Sequence, residues 1–189
     1  IPVLISDGIL ALGNNSVAMV VGRLGESFVA ANAVTTVTQQ LSSVMIQGFS
    51  QAGAIVTGYT LGEGNKEKAH EQGYAFMGIG LLFGTIAAGI IMLISGPMIN
   101  AYNLSSETVE IAKQLMLSIS LIVVFQATNS IMTKGVLRGG GDTKVLMTAD
   151  NIFLWVASIP LGILAGLVLH LPAFWIYFFL KIDQVLKAV

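Results

Sequence analysis

The sequence predicts an all-α polytopic membrane protein, a single transmembrane bundle of six helices over 1–189. Three observations lead there. Hydrophobic residues make up 54% of the 189 and charged residues only 10%, against about a quarter charged in soluble domains. Mean hydropathy is +0.81. The few charges cluster, leaving apolar stretches of about 17–25 residues, long enough to cross a hydrocarbon core about 30 Å thick.

The spans are expected, in order, over 3–22, 28–61, 73–95, 107–137, 145–169 and 173–186. The second and fourth exceed a simple crossing, which implies tilt or projection beyond the bilayer. Gly22-Arg23-Leu24-Gly25-Glu26 reads as a short turn. Gly62 through Glu71 carries charges and two glycines, and so reads as a loop. Gly96-Pro97 is expected to end the third helix, since proline lacks the donor that a helix interior needs. Asn103-Leu104-Ser105-Ser106 supplies capping side chains before Glu107 and Glu110, acids suited to a helix N-terminus. Arg138 through Lys144 divides the fourth helix from the fifth, and His170-Leu171-Pro172 divides the fifth from the sixth.

A net charge of −1 gives no basic field for nucleic acid. The absence of cysteine excludes disulfides and thiolate metal sites. The start at Ile1, inside an apolar run, has neither the basic region nor the cleavage site of a signal peptide, and reads as cut from something longer. Basic residues set the expected orientation. Lys66, Lys68, Lys134, Arg138, Lys144, Lys181 and Lys187 fall on one side, against Arg23 and Lys113 on the other. Both ends of the segment are therefore expected in the cytoplasm.

Polar residues inside lipid need a reason. Asp7, Ala11, Asn14 and Ala18 recur at spacings of 4, 3 and 4, one face of the first helix. Asn32, Thr36, Gln40, Ser43, Gln47 and Gln51 form a similar stripe on the second, and Gln114, Ser118, Gln126, Asn129 and Thr133 on the fourth. One explanation is hydrogen bonding between helices. The other is a water-accessible cavity lined by Asn14, Asn32, Thr36, Gln40, Gln47, Gln51, Gln126 and Asn129. Ala54/Gly58/Gly62, Gly80/Gly84/Ala88 and Gly162/Gly166 read as close helix packing.

Asp7 and Asp150 are the acids that fall within spans. Asp150 lies roughly 9 Å along the helix from Lys144, at 1.5 Å per residue. Either acid could exchange an ion; equally, Lys134 could hold either one in a structural ion pair. Gly139-Gly140-Gly141-Asp142 copies an intramembrane protease motif, but it sits in a charged loop and no Tyr-Asp partner exists. Asn103-Leu104-Ser105 is a glycosylation sequon that a helix cap explains equally well. His70 and His170 have no companion ligands, so no transition-metal site is expected; no cofactor is expected either, and an intramembrane enzyme is disfavoured because no nucleophile–base pair or paired catalytic acid emerges.

Gly22-Arg23-Leu24-Gly25, Ala30-Ala31-Asn32, Gly48-Phe49-Ser50-Gln51-Ala52, Leu61-Gly62-Glu63-Gly64-Asn65 and Leu137 through Lys144, with Pro160-Leu161-Gly162, together resemble the multidrug and toxic compound extrusion (MATE) family. The resemblance covers essentially the whole chain. It implies one six-helix lobe, the second, of a twelve-helix transporter in the bacterial plasma membrane, with a first lobe as its partner. The implied function is secondary antiport of amphipathic, often cationic compounds against H+ or Na+, and no catalysis. Asp7 falls where some relatives carry an acidic coupling residue, so the resemblance implies a candidate site for transient Na+ at Asp7. A lipid-linked oligosaccharide flippase of the same fold would want a cationic cavity, and the spans hold little Arg or Lys. A purely structural membrane subunit is the rival of a different class; three polar stripes disfavour it.

Overall fold

A computed structural model describes residues 2–140, 148 and 150–187, with side chains from Gly8 onward. The described residues are helical with short connections and no strand. We label the helices α1 (Pro2–Arg23), α2 (Glu26–Gly62), α3 (Lys66–Ala101), α4 (Ser106–Leu137), α5 (Asp150–Val168), α6 (Ala173–Leu180) and α7 (Ile182–Leu186). Of these, α3, α4 and α5 are long and apolar enough to cross a membrane. The 37 residues of α2 have the length, but its Asn, Thr, Ser and Gln residues dilute its apolar character.

Each connection has a local cause. Gly25 and Gly64 take positive φ of 107° and 79°, where a Cβ would be strained. Asn65 caps α3 by accepting from the Lys68 N–H at 3.0 Å. Ser105 caps α4, its Oγ accepting from the Thr108 N–H at 3.3 Å, as the sequence leads one to expect.

Helix α4 is the hub. Its Leu115, Ile119, Ile122, Val123, Ala127 and Ile131 are fully buried, and α2, α3, α6 and α7 all pack on it. The α3–α4 seam is close because a Cβ built on Gly84 would lie 2.8 Å from Val124 Cα, and one on Gly80 2.9 Å from Thr128 Cα. Small residues at such seams let backbones approach where lipid offers no hydrophobic drive. Gly62, by contrast, meets nothing within 4 Å. The outward faces carry Leu81, Leu82, Ile86, Met92 and Leu93, all exposed, which is what a lipid-facing surface requires.

The boundaries differ from expectation in three places. Helix α3 begins at Lys66, not 73, because the charged turns after the Asn65 cap are helical although too polar for the apolar span. It also runs past Pro97 to Ala101. Proline is tolerated in membrane helices, where local adjustment and neighbouring groups compensate the lost backbone bond. The last helix is broken at Lys181, where the Asp183 N–H leaves the helical ladder to donate to Ser158 Oγ at 3.1 Å. The expected start of the fifth helix, 145–147, lies outside the described residues.

Candidate functional site

A polar cavity of about 200 Å³ opens between α1, α4, α5 and the last helix pair. Its wall includes Asn14, Gln126, Asn129, Thr133, Lys134, Asp150, Asp183, Gln184 and Lys187. At roughly 30 Å³ per molecule it has room for several waters, each with polar partners.

Three charged groups form its floor. Lys187 Nζ lies 2.8 Å from Asp150 Oδ1 and 2.9 Å from Asp183 Oδ2, so one ammonium bridges two carboxylates. The Lys187 and Asp183 side chains are each 6% exposed and that of Asp150 is 23% exposed. Asp183 is held on every side: its Oδ1 accepts from Ser158 Oγ at 2.9 Å, and its Oδ2 from Gln184 Nε2 at 2.6 Å. Gln184 Oε1 in turn accepts from Asn129 Nδ2 at 3.1 Å. Asn129 Oδ1 is buried without a hydrogen-bond partner among the described residues, and Asn129 sits in the cavity wall.

Helix irregularity accompanies the site. Ile131–Leu137 of α4 and Phe153–Ser158 of α5 are wound as π-helix, a widening frequent at functional positions. The first carries Thr133 and Lys134, the second Ser158. Between α1 and α5, Trp155 Nε1 donates to Ile9 O at 3.3 Å.

The cavity thus gathers Asn14, Gln126, Asn129, Lys134 and Asp150 from the sequence-derived set. Gln126 Oε1 also accepts from Gln39 Nε2 at 2.6 Å, a hydrogen bond between α2 and α4. Asp150 takes Lys187 as its partner rather than Lys134; Lys134 is exposed and makes no ion pair among the described residues. Asp7 falls three and seven residues before Leu10 and Asn14, a helical register shared with both; its side chain lies outside the described residues.

Helix α2 lends no residue to the cavity wall. It buries the opposite face, Thr35, Thr38, Ser42, Ser50 and Thr57. Thr35 and Thr38 donate to carbonyls one turn back, at 2.9 Å each, which hides their hydroxyls in the packing. Gln40, Gln47 and Gln51 are left exposed, Asn32 and Thr36 half-buried. Thr36 Oγ1 donates to Asn32 O at 2.8 Å.

Asp183, Gln184 and Lys187 escaped the sequence reading. The signal was an acid and a base four residues apart after an unbroken apolar run, Ala173–Leu180, a spacing that brings side chains together on a helix.

Comparison with known proteins places the chain. The MatE family model matches residues 2–164. The multidrug resistance protein MdtK of Yersinia pseudotuberculosis serotype O:1b is 32% identical over 168 residues, 86% of this chain and 36% of that protein. MdtK of Photorhabdus laumondii is 30% identical over 171 residues, with the same coverage. The chain therefore spans about a third of the length of these curated relatives. No solved structure matches.

Proposed function

The chain belongs to the MatE family, and from that premise we propose that it is one six-span lobe of a twelve-helix multidrug antiporter. The lobe works with a first lobe that it does not contain. Its substrates are amphipathic, often cationic compounds, exported against H+ or Na+ across the bacterial plasma membrane. The loops at Asn65 and Arg138 and both ends of the segment face the cytoplasm.

The observation that carries the reading is the outward amide face of α2. Gln40 stands about 200° around the helix from buried Thr38 and Ser42, at 100° per residue. Amides turned away from the packed bundle have no place in hydrocarbon. They fit a polar cleft between two lobes, the position in which repeat-built transporters bind substrate. Asn14, Asn32, Thr36, Gln40, Gln47 and Gln51 would contact substrate there. Gln126 and Asn129 would line the inner cavity, and Asp7 and Asp150 would exchange the coupling ion.

The flippase reading has less support. Lys187 is matched by two carboxylates, which leaves Lys134 to face a diphosphate. A structural subunit gives no reason for outward glutamines.

Substitution of the acids in the full-length protein tests the proposal. Asp7→Asn is expected to leave expression intact and abolish gradient-driven export of a cationic dye. Dye export at the wild-type rate under imposed H+ and Na+ gradients would remove Asp7 from coupling.

A further inference from the structure

We propose that the groove at the Lys66 end of α3, walled by α2, α3 and α4, binds one anionic glycerophospholipid. The head group lies at Lys66 and His70, and an acyl chain runs along Met77 and Val136. The site is separate from the polar cavity and does not depend on what the lobe transports.

The groove holds about 560 Å³, within the about 300–1,000 Å³ of small-molecule sites. Its wall on α3 is one helical stripe of Lys66, Ala69, His70, Gly73, Tyr74 and Met77. The stripe runs roughly 17 Å at 1.5 Å per residue, which fits within one leaflet of a bilayer about 40–45 Å thick with its head groups. Lys66 and His70 belong to the polar turns before the apolar span, whereas Gly73, Tyr74 and Met77 begin that span. The groove therefore crosses the boundary between water and hydrocarbon. Met132, Val136 and Leu137 supply its apolar wall on α4. Tyr74, Met77 and Leu137 are exposed, so the bilayer has access to it.

Charge selects the ligand. Among the described residues, the groove wall holds Lys66 and His70 and no carboxylate. Glu67 and Glu71 each follow one residue later, about 100° around the helix. Lys66 is also the first residue of α3, so the positive end of the helix dipole lies at the same rim. Basic pockets between membrane helices suit anionic lipid head groups. A cationic compound of the kind proposed for export would meet like charge here.

A buried group points to the same ligand. Thr57 of α2 is 2% exposed and lines the groove, and its Oγ1 has no hydrogen-bond partner among the described residues. Buried polar groups are normally paired, and an ester carbonyl of a lipid would accept from this hydroxyl. Gly73 leaves room for the chain: apart from its own helix, a Cβ built there meets only Val136 Cγ1, at 3.8 Å.

Native mass spectrometry of the full-length protein containing this chain reads the site without transport. The protein is held in detergent with equal amounts of phosphatidylglycerol and phosphatidylcholine of identical chains. Phosphatidylglycerol is expected to be retained in preference; equal retention of the two lipids overturns head-group selection. Lys66→Gln is expected to cut the preference about fivefold, the contribution of one basic residue at an anionic surface. Lys68→Gln removes the same charge from the same turn, outside the groove wall, and is expected to change it little. Gly73→Leu keeps every charge but fills the groove, and is expected to expel the lipid. Wild-type retention in Gly73→Leu, or equal losses in the two lysine variants, overturns the site. Retention of sn-glycerol 3-phosphate, which has no chains, as strongly as the lipid would mean a bare anion site and also overturns it. If Gly73→Leu does not fold, the comparison of Lys66→Gln with Lys68→Gln, both on exposed side chains, decides.

Discussion

Ser158 holds Asp183 from two directions, donating its hydroxyl to Oδ1 at 2.9 Å and accepting the Asp183 N–H at 3.1 Å. Both bonds are buried, and one is to a charged group. Removing a hydrogen bond to a charged partner costs about 1.5–3 kcal/mol. Ser158→Ala is therefore expected to lower thermal stability in detergent by about that amount, while Ser16→Ala, on a part-exposed hydroxyl bonded to its own helix, changes it little. Equal losses in the two would mean that the Ser158–Asp183 tie does not hold the last helix. Legibility at this scale was divided. Asn14, Gln126, Asn129 and Asp150 could be found because polar residues stand out in apolar spans. Lys187 was passed over, because positive charge near the end of a span reads first as a cytoplasmic flank. Here it is drawn inward by two carboxylates 37 and 4 residues upstream, and only the first of these distances is invisible to local spacing.

Helix existence follows from hydropathy, but helix ends follow from capping and from competition for backbone groups. That is why the apolar run placed α3 while missing the two polar turns after Asn65 and the stretch beyond Pro97. The break at Lys181 depends on Ser158, a residue of another helix, and no local pattern encodes it. Packing seams were more legible, since small residues four apart mark close approach. Gly84 and Gly89 of α3 separate packing from propensity. A Cβ at Gly84 meets Val124 Cα and O at 2.8 Å, whereas one at Gly89 meets nothing within 4 Å. Gly84→Val is expected to cost about 1–3 kcal/mol by forcing α3 from α4. Gly89→Ala is expected to be neutral or to stabilise by up to about 1 kcal/mol. Thermal unfolding in detergent, followed by circular dichroism, compares them. Equal effects would mean that the seam is looser than described.

At the scale of the whole molecule, α4 is the buried hub, and the outer face of α2 mixes exposed amides with exposed Val37, Val44 and Ile55. An amphipathic outer face of that kind fits the proposed cleft between two lobes. The face of α2 that packs is its Thr/Ser face, so the amide stripe lies outside the wall of the cavity between α1, α4, α5 and the last helix pair. Short polar hydroxyls and long amides look alike to a polarity pattern, yet only the former can hide their donors on their own helix. The orientation proposed from basic residues has its own check. Single cysteines at Asn65 and Asn103 lie in loops at opposite ends of α3. An impermeant thiol reagent applied to intact cells is expected to label the cysteine at Asn103 and to spare the one at Asn65; the reverse pattern would invert the topology. The central claim, exchange of a cationic compound for a small cation, is tested most directly by counter-flow. Full-length protein containing this chain is reconstituted into vesicles with no imposed ion gradient, and a cationic dye gradient is applied with internal pH and Na+ both recorded. The expected result is movement of H+ or Na+ opposite to the dye, abolished by Asp150→Asn; dye movement with neither ion crossing would contradict it.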